Sequence, residues 1–170
     1  MTQITLKKKT VHTSGSLLKV GSTLPDFLLV NQELEDKRLQ DFKGKRKVIY
    51  IVPSLDTSVC AATTKKMNEL AKKHPGYLFL IISADLPFAQ KRFCVTEGVN
   101  NIVTLSMIRS KDFGKDYGVL LLDGPLAGLL ARALIVVDEQ NHVLYSELVK
   151  EIADEPNYTQ AFHYLKNSTV

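Results

Sequence analysis

The stretch Lys47-Val48-Ile49-Tyr50-Ile51-Val52-Pro53-Ser54-Leu55-Asp56-Thr57-Ser58-Val59-Cys60 decides how this chain is read. Its first six residues are an apolar, β-rich run, a proline ends that run, and the chain then turns into a helix whose first turn carries a cysteine. Thr57, three residues before Cys60, has the side chain of a helix cap. A helix N-terminus offers unpaired N–H groups and about half a positive charge. Both favour thiolate over thiol, and cysteines so placed titrate at roughly 3.5–7.5 instead of about 8.5. The plainer reading is that Thr57 only caps and that Cys60 is a small buried hydrophobe, as free cysteines usually are. On this stretch alone the plainer reading leads, so the rest of the chain has to decide.

Downstream, Ser58 to Lys73 places Val59, Thr63, Met67 and Leu70 on one stripe, with Lys65, Lys66, Glu69, Lys72 and Lys73 mostly away from it. Pro75-Gly76 stops that helix. Tyr77 to Ser83 is a second continuous apolar strand, so the unit is strand, helix, strand, expected parallel and right-handed. A helix after Pro87 carries Cys94 and ends before Gly98. Ile102 to Ser106 is another short strand. Ala133 to Val137 and His142 to Leu148 flank Asp138-Glu139-Gln140-Asn141, a hairpin connection, and a last helix lies near Tyr158 to Lys166. Upstream, Ile4, Leu6, Val11 and Leu17-Leu18 alternate weakly around Lys8-Lys9 and Ser14-Gly15, which predicts a short hairpin. Gly21 to Pro25 connects it to a further strand at Phe27 to Val30, and Asn31-Gln32 with Glu35-Asp36 read as turn positions. This order is that of a thioredoxin-like α/β fold: a mixed central sheet with helices on both faces and an N-terminal β-hairpin. At 170 residues the chain is expected to be one such domain, 1–170, burying about 70% of its unfolded surface.

The charge is moderate, 22 Lys plus Arg against 18 Asp plus Glu. The basic residues lie in small groups (Lys7-Lys8-Lys9, Lys43 to Lys47, Lys72-Lys73) that read as solvated faces, with no nucleic-acid motif beside them. The N-terminus lacks the apolar core of a secretory signal, and runs such as Tyr77 to Ile82 are far below the ~18 residues of a membrane span. A cytoplasmic protein with neither nucleic-acid nor membrane partner is expected. In that compartment structural disulfides are uncommon. With Cys60 and Cys94 alone, and no Cys-x-x-Cys, neither a zinc ribbon nor a thioredoxin-type motif is available. His12, His74, His142 and His163 have no metal-ligand spacing, and no metal or cofactor is expected.

Pro53 to Cys60 resembles the peroxidatic loop of the peroxiredoxins, Pro-x-x-x-Thr-x-x-Cys, and the closer likeness is to the bacterial thiol peroxidases, the atypical two-cysteine group. Three further stretches carry it: Ser83-Ala84-Asp85-Leu86-Pro87-Phe88-Ala89-Gln90-Lys91-Arg92-Phe93-Cys94, Tyr117-Gly118-Val119 and Leu130-Ala131-Arg132-Ala133. Together they extend the likeness over nearly the whole chain and reverse the reading of Cys60. Two departures are Ser58, where that group commonly has glycine, and a hairpin without the usual glycine among its lysines.

The resemblance implies a thiol-dependent peroxidase for hydrogen peroxide and organic hydroperoxides. Cys60 would be the peroxidatic cysteine and pass through a sulfenic acid, and Cys94 would be the resolving cysteine of an intrachain Cys60–Cys94 disulfide. Thioredoxin as reductant and a homodimer are implied with it. Pro53, Thr57 and Arg132 would support the site: Pro53 shielding the thiolate, the Thr57 hydroxyl accepting from the peroxide while donating to an oxygen or sulfur, and Arg132 bringing a permanently charged fork of donors. Without the family pattern, Arg132 reads as a surface residue paired with Asp138 or Glu139, and Cys94 as packing. The alternative function is a non-enzymatic redox sensor or interaction module using the same cysteine pair. Leu120, Leu121, Leu122, Leu126, Leu129 and Leu130 either line a pocket for bulky hydroperoxides or belong to the core or an interface. Because the two cysteines sit on helices separated by a strand, the helix from Pro87 to Gly98 is expected to unwind in each turnover.

Overall fold

The computed structural model describes residues 1–167; the last three residues of the expected domain, 168–170, lie outside them. A two-stranded antiparallel hairpin, β1 (Thr2–Leu6) and β2 (Lys9–Thr13), comes first. Its pairing leaves only Lys7 and Lys8 in the turn, with φ of 50° and 67°. Two residues at positive φ are what a type I′ hairpin turn demands, a conformation that glycine, asparagine or aspartate adopts at lower cost. Here lysine occupies both positions.

The central sheet has seven strands in the order β4-β3-β7-β6-β5-β8-β9. These are β3 (Leu28–Val30), β4 (Asp36–Arg38), β5 (Arg46–Ile51), β6 (Tyr77–Ser83), β7 (Val103–Ser106), β8 (Ala133–Val137) and β9 (Val143–Leu148). β5, β6 and β7 run parallel, joined through α1 (Ser58–Lys73) and α2 (Pro87–Glu97), while β3, β4, β8 and β9 pair antiparallel. A short α3 (Asp112–Asp116) and a C-terminal α4 (Tyr158–Asn167) complete the chain. The mixed sheet, flanking helices and N-terminal hairpin are those of the thioredoxin-like fold.

Strand alternation sorts the interior into two layers. Val48, Tyr50 and Val52 of the β5 run face the layer that holds Cys60 and Met67 of α1, Phe93 and Cys94 of α2, and Ala161 and Leu165 of α4. Ile49 and Ile51 face the other layer, with Ile4 and Val11 of the hairpin, Phe113 of α3 and Leu120, Leu121 and Leu130. The three longer helices therefore share one face, and the other is covered by the hairpin, α3 and the irregular segment after it. This division puts both cysteines on the same side of the sheet.

Three local features differ from expectation. The buried face of α1 keeps Thr63 and Met67 of the expected stripe but replaces Val59 and Leu70 by Cys60, Thr64, Asn68 and Ala71; Thr63 and Asn68 find hydrogen-bond partners inside, while the Thr64 hydroxyl does not. Lys47, expected in a solvated basic group, is fully buried, its Nζ donating to the Lys45 carbonyl at 2.8 Å and Asn141 Oδ1 at 2.7 Å. Burial pushes its ammonium pKa down. β4, a charged three-residue edge strand, and α3, with a glycine in its middle, have too little hydrophobic pattern to be predicted. Gly118 of the Tyr-Gly-Val stretch is required by space: a Cβ there would lie 2.1 Å from the Ser16 carbonyl oxygen, at a φ of +70°.

Candidate active site

Val52 ends the β5 run, its N–H donating to the Ile82 carbonyl. Pro53, buried, follows at the point where the backbone leaves the sheet. Thr57 caps α1: its Oγ1 accepts from the Cys60 N–H at 3.3 Å and donates to the Ser54 carbonyl at 3.2 Å. That donation occupies the single hydroxyl proton, so the oxygen to which Thr57 donates is the Ser54 carbonyl. One lone pair remains, aimed by the two bonds already made. Cys60 is the third residue of the helix and is 0% exposed, below exposed Thr57 and Ser58.

Arg132 comes from far along the chain. It lies just before β8, which pairs with β5 through Ile51 and Ala133, so strand register carries the guanidinium to the start of α1. It is 2% exposed, and each of its nitrogens has a partner: Nε the Ile152 carbonyl at 2.9 Å, Nη1 the Tyr50 hydroxyl at 2.8 Å and Nη2 the Cys60 Sγ at 3.1 Å. The salt bridge to Asp138 or Glu139 does not form; Asp138 pairs with His142 and Glu139 with Arg46. A charged fork buried without a carboxylate is costly unless an anionic partner arises in the site.

Tyr50 is the residue that sequence reasoning missed. Its hydroxyl accepts from Arg132 and donates to Thr63 Oγ1 at 2.9 Å, and Thr63 in turn donates to the Val59 and Cys60 carbonyls. Burial raises the Tyr50 pKa, which keeps the phenol neutral and able to do both. The one available signal was a polar-tipped aromatic at the centre of an otherwise aliphatic strand.

Cys94 lies on the buried face of α2 with Gln90 and Phe93. Its Sγ accepts from Gln32 Nε2 at 3.4 Å, and the same amide donates to Thr104 Oγ1 at 2.6 Å. Burial pushes the Cys94 thiol pKa up, and the contacts with Gln32 and Thr104 only partly offset it. Neither cysteine is in a disulfide. The helix begins with Pro87 at its first position and ends at Gly98 in the left-handed conformation, where the Val99 N–H returns to the Cys94 carbonyl at 2.9 Å.

The structure thus brings Thr57, Cys60 and Arg132 together, with Pro53 buried at the start of the loop that leads to them, and leaves Cys94 on a neighbouring helix of the same layer. Of the six leucines after Tyr117, Leu120, Leu121 and Leu130 are buried in the opposite layer, Leu126 and Leu129 pack against it, and Leu122 is exposed. Five of them belong to the layer opposite Cys60. Among the described residues no group of three His, Cys, Asp or Glu could hold a metal, and no helix is long and apolar enough to cross a membrane.

The Redoxin family model matches residues 19–162. Over 163 residues, 95% of each chain, the protein is 50% identical to the thiol peroxidase of Leptospira interrogans serogroup Icterohaemorrhagiae serovar copenhageni. Among solved structures, the peroxiredoxin-like protein from Aquifex aeolicus matches at TM-score 0.90 and 41% identity, covering 97% of this chain and 96% of that one. The thiol peroxidase from Chromobacterium violaceum matches at TM-score 0.91 and 27% identity, covering 97% and 95%. With a family match over most of its length and a half-identical relative along nearly all of it, this chain belongs to the Redoxin family, among the thiol peroxidases of the peroxiredoxin group.

Proposed function

We propose that the protein reduces hydrogen peroxide and organic hydroperoxides through Cys60, with Cys94 as resolving cysteine and an external dithiol, thioredoxin by family likeness, as reductant. The observation that supports this most is the buried Arg132 guanidinium 3.1 Å from the Cys60 sulfur, with the Thr57 hydroxyl beside it on the helix cap. A peroxide approaching past Thr57 lends its O–H to the free lone pair of that hydroxyl. The Cys60 thiolate attacks the near oxygen, the O–O bond breaks, and the far oxygen leaves with its electron pair and takes a proton to become water or an alcohol. Sulfur is oxidised to sulfenic acid and the peroxide is reduced. Lowering a thiol's pKa also lowers its nucleophilicity, so speed has to come from the transition state. There, charge spreads over sulfur and two oxygens, where Arg132 and the first N–H groups of α1 are fixed donors.

In the second step the Cys94 sulfur attacks the Cys60 sulfenic sulfur, water leaves, and an intrachain disulfide forms. The dithiol then reduces it by two exchange steps, becoming a disulfide itself. The working form is a homodimer of this domain in the cytoplasm. Under single-turnover conditions Cys60→Ser should consume no peroxide, whereas Cys94→Ser should consume one equivalent per chain and then stop, even with reductant present. Peroxide consumption by Cys60→Ser, or none by Cys94→Ser, would overturn the assignment. A protein that forms the disulfide but does not turn over with any dithiol would be the redox switch instead.

A further inference from the structure

Asp85 lies between the two cysteine-bearing segments, bonded directly to the Cys60 loop and, through Ser83, to α2. Its carboxylate accepts from the Ser54 hydroxyl at 2.6 Å and the Leu55 N–H at 2.8 Å, holding the loop that leads to Cys60. The same carboxylate accepts from the Ser83 hydroxyl at 2.8 Å, and Ser83 Oγ accepts from Gln90 Nε2 at 3.0 Å. Gln90 is buried in α2 one turn before Cys94, so the two side chains share a helix face. Gln90 Nε2 also donates to the Leu105 carbonyl at 2.9 Å, while its buried Oε1 has no partner. Asp85 itself stands two residues before Pro87, the first residue of α2, and its carbonyl accepts from the Ser106 hydroxyl at 2.5 Å.

On the loop side the chain of bonds runs on to the site. Ser54, gripped by Asp85, presents the carbonyl that takes the Thr57 hydroxyl proton, and Thr57 takes the Cys60 N–H. One carboxylate thereby fixes the orientation of the Thr57 lone pair and, through Ser83 and Gln90, the seat of α2 beside Cys94. We propose that Asp85 is a positioning residue that couples the two halves of the cycle: it holds the Cys60 loop ready for peroxide and α2 closed, and letting go of one loosens the other. This rests on the peroxidase reading, in which the first step needs the packed loop and the second needs α2 to open.

The consequence is an opposition that simple loss of structure does not produce. Asp85→Asn replaces one carboxylate oxygen by a donor facing donors, so it should slow Cys60 oxidation by about tenfold, less than the roughly 10² of a full 1 Å misplacement, and speed disulfide closure several-fold. Both steps are read on the full chain by rapid quench and intact mass. Hydrogen exchange in the reduced protein, without peroxide, should rise in both 54–60 and 87–97 while strand β5 stays protected. Ser54→Ala, which removes only the loop-side hydroxyl, should do the same more weakly and decides the matter if Asp85→Asn does not fold. Slowing of both steps, no change in either, or faster exchange in only one of the two segments would overturn the coupling. A wild-type protein that does not react with peroxide would sink the peroxidase reading and leave the exchange test of the clamp standing.

Discussion

The two cysteine helices are built to opposite standards. α1 buries residues along its whole length, from Cys60 through Met67 to Ala71, and its first turn is tied by Thr57, Arg132 and the Tyr50–Thr63 pair. α2 buries only Pro87, Gln90, Phe93 and Cys94. Phe88 is 65% exposed and Val95 75%, so two side chains that would each contribute roughly 1.5–3 kcal/mol if buried contribute little to holding it. With no side-chain cap at its N-terminus and two large apolar side chains in solvent, α2 belongs to the low end of local stability. In the mechanism proposed above, the difference divides the labour: the cysteine that needs a pre-set field sits on the fixed helix, and the cysteine that must travel sits on the helix that gives least resistance.

Changes to the groups that face the Cys60 sulfur, as distinct from the Asp85 clamp, should strike the first step and leave α2 alone. Arg132→Ala removes a donor to the sulfur and leaves the Tyr50 hydroxyl and Ile152 carbonyl without their partner. The rate constant for Cys60 oxidation should fall by about 10² to 10³, the scale of one transition-state donor. Arg132→Lys keeps the charge, loses the planar fork, and should fall less steeply. An unchanged oxidation rate in Arg132→Ala would return that residue to a packing role.

Thr57→Val keeps the shape and removes the hydroxyl. Oxidation should slow by about 10², and protection from exchange at the first turn of α1 should weaken with the lost cap. If α2 loosened equally in Thr57→Val, the two helices would not be separate, and the contrast between them would fail.

The fixed end was also the more legible. The cap at Thr57, the bounds of α1 and the strand before it all follow from local pattern, because capping, turn and strand signals there act within a few residues. What was not legible comes from partners far along the chain. Arg132 meets Cys60 across 72 positions, brought there by the register of β8 on β5, and only the family likeness of its stretch, not its local pattern, pointed to the site. Thr63 and Asn68 sit on the buried face of α1 because Tyr50 takes one and the N–H groups of Asn100 and Asn101 take the other. Hydrophobic periodicity cannot register such exchanges: it found Thr63 and Met67 but put Val59 and Leu70 where Cys60 and Ala71 are buried, and it left out Asn68. The bonds of Asp85 and Gln32 escaped for the same reason.

At the yielding end, the Cys94 thiol makes the seat of α2 dependent on pH. Burial raises its pKa, partly offset by Gln32 and Thr104, so the packed helix prefers the neutral thiol. The sign comes from linkage. A folded-state pKa above the unfolded value gives stability that is complete below the ordinary thiol value and is lost as pH rises through the folded one. α2 should therefore open more readily in alkali. Lys91 and Arg92, within α2, are trypsin sites that stay closed while the helix is wound. Cleavage there, divided by cleavage of a free peptide spanning 85–100 at the same pH, should increase several-fold between neutral pH and pH about 10, above the ordinary thiol value. In Cys94→Ser the ratio should stay flat, since the serine hydroxyl does not titrate in that range. A flat ratio in the wild-type protein, or an equal rise in Cys94→Ser, would show that the cysteine does not govern the opening of its own helix.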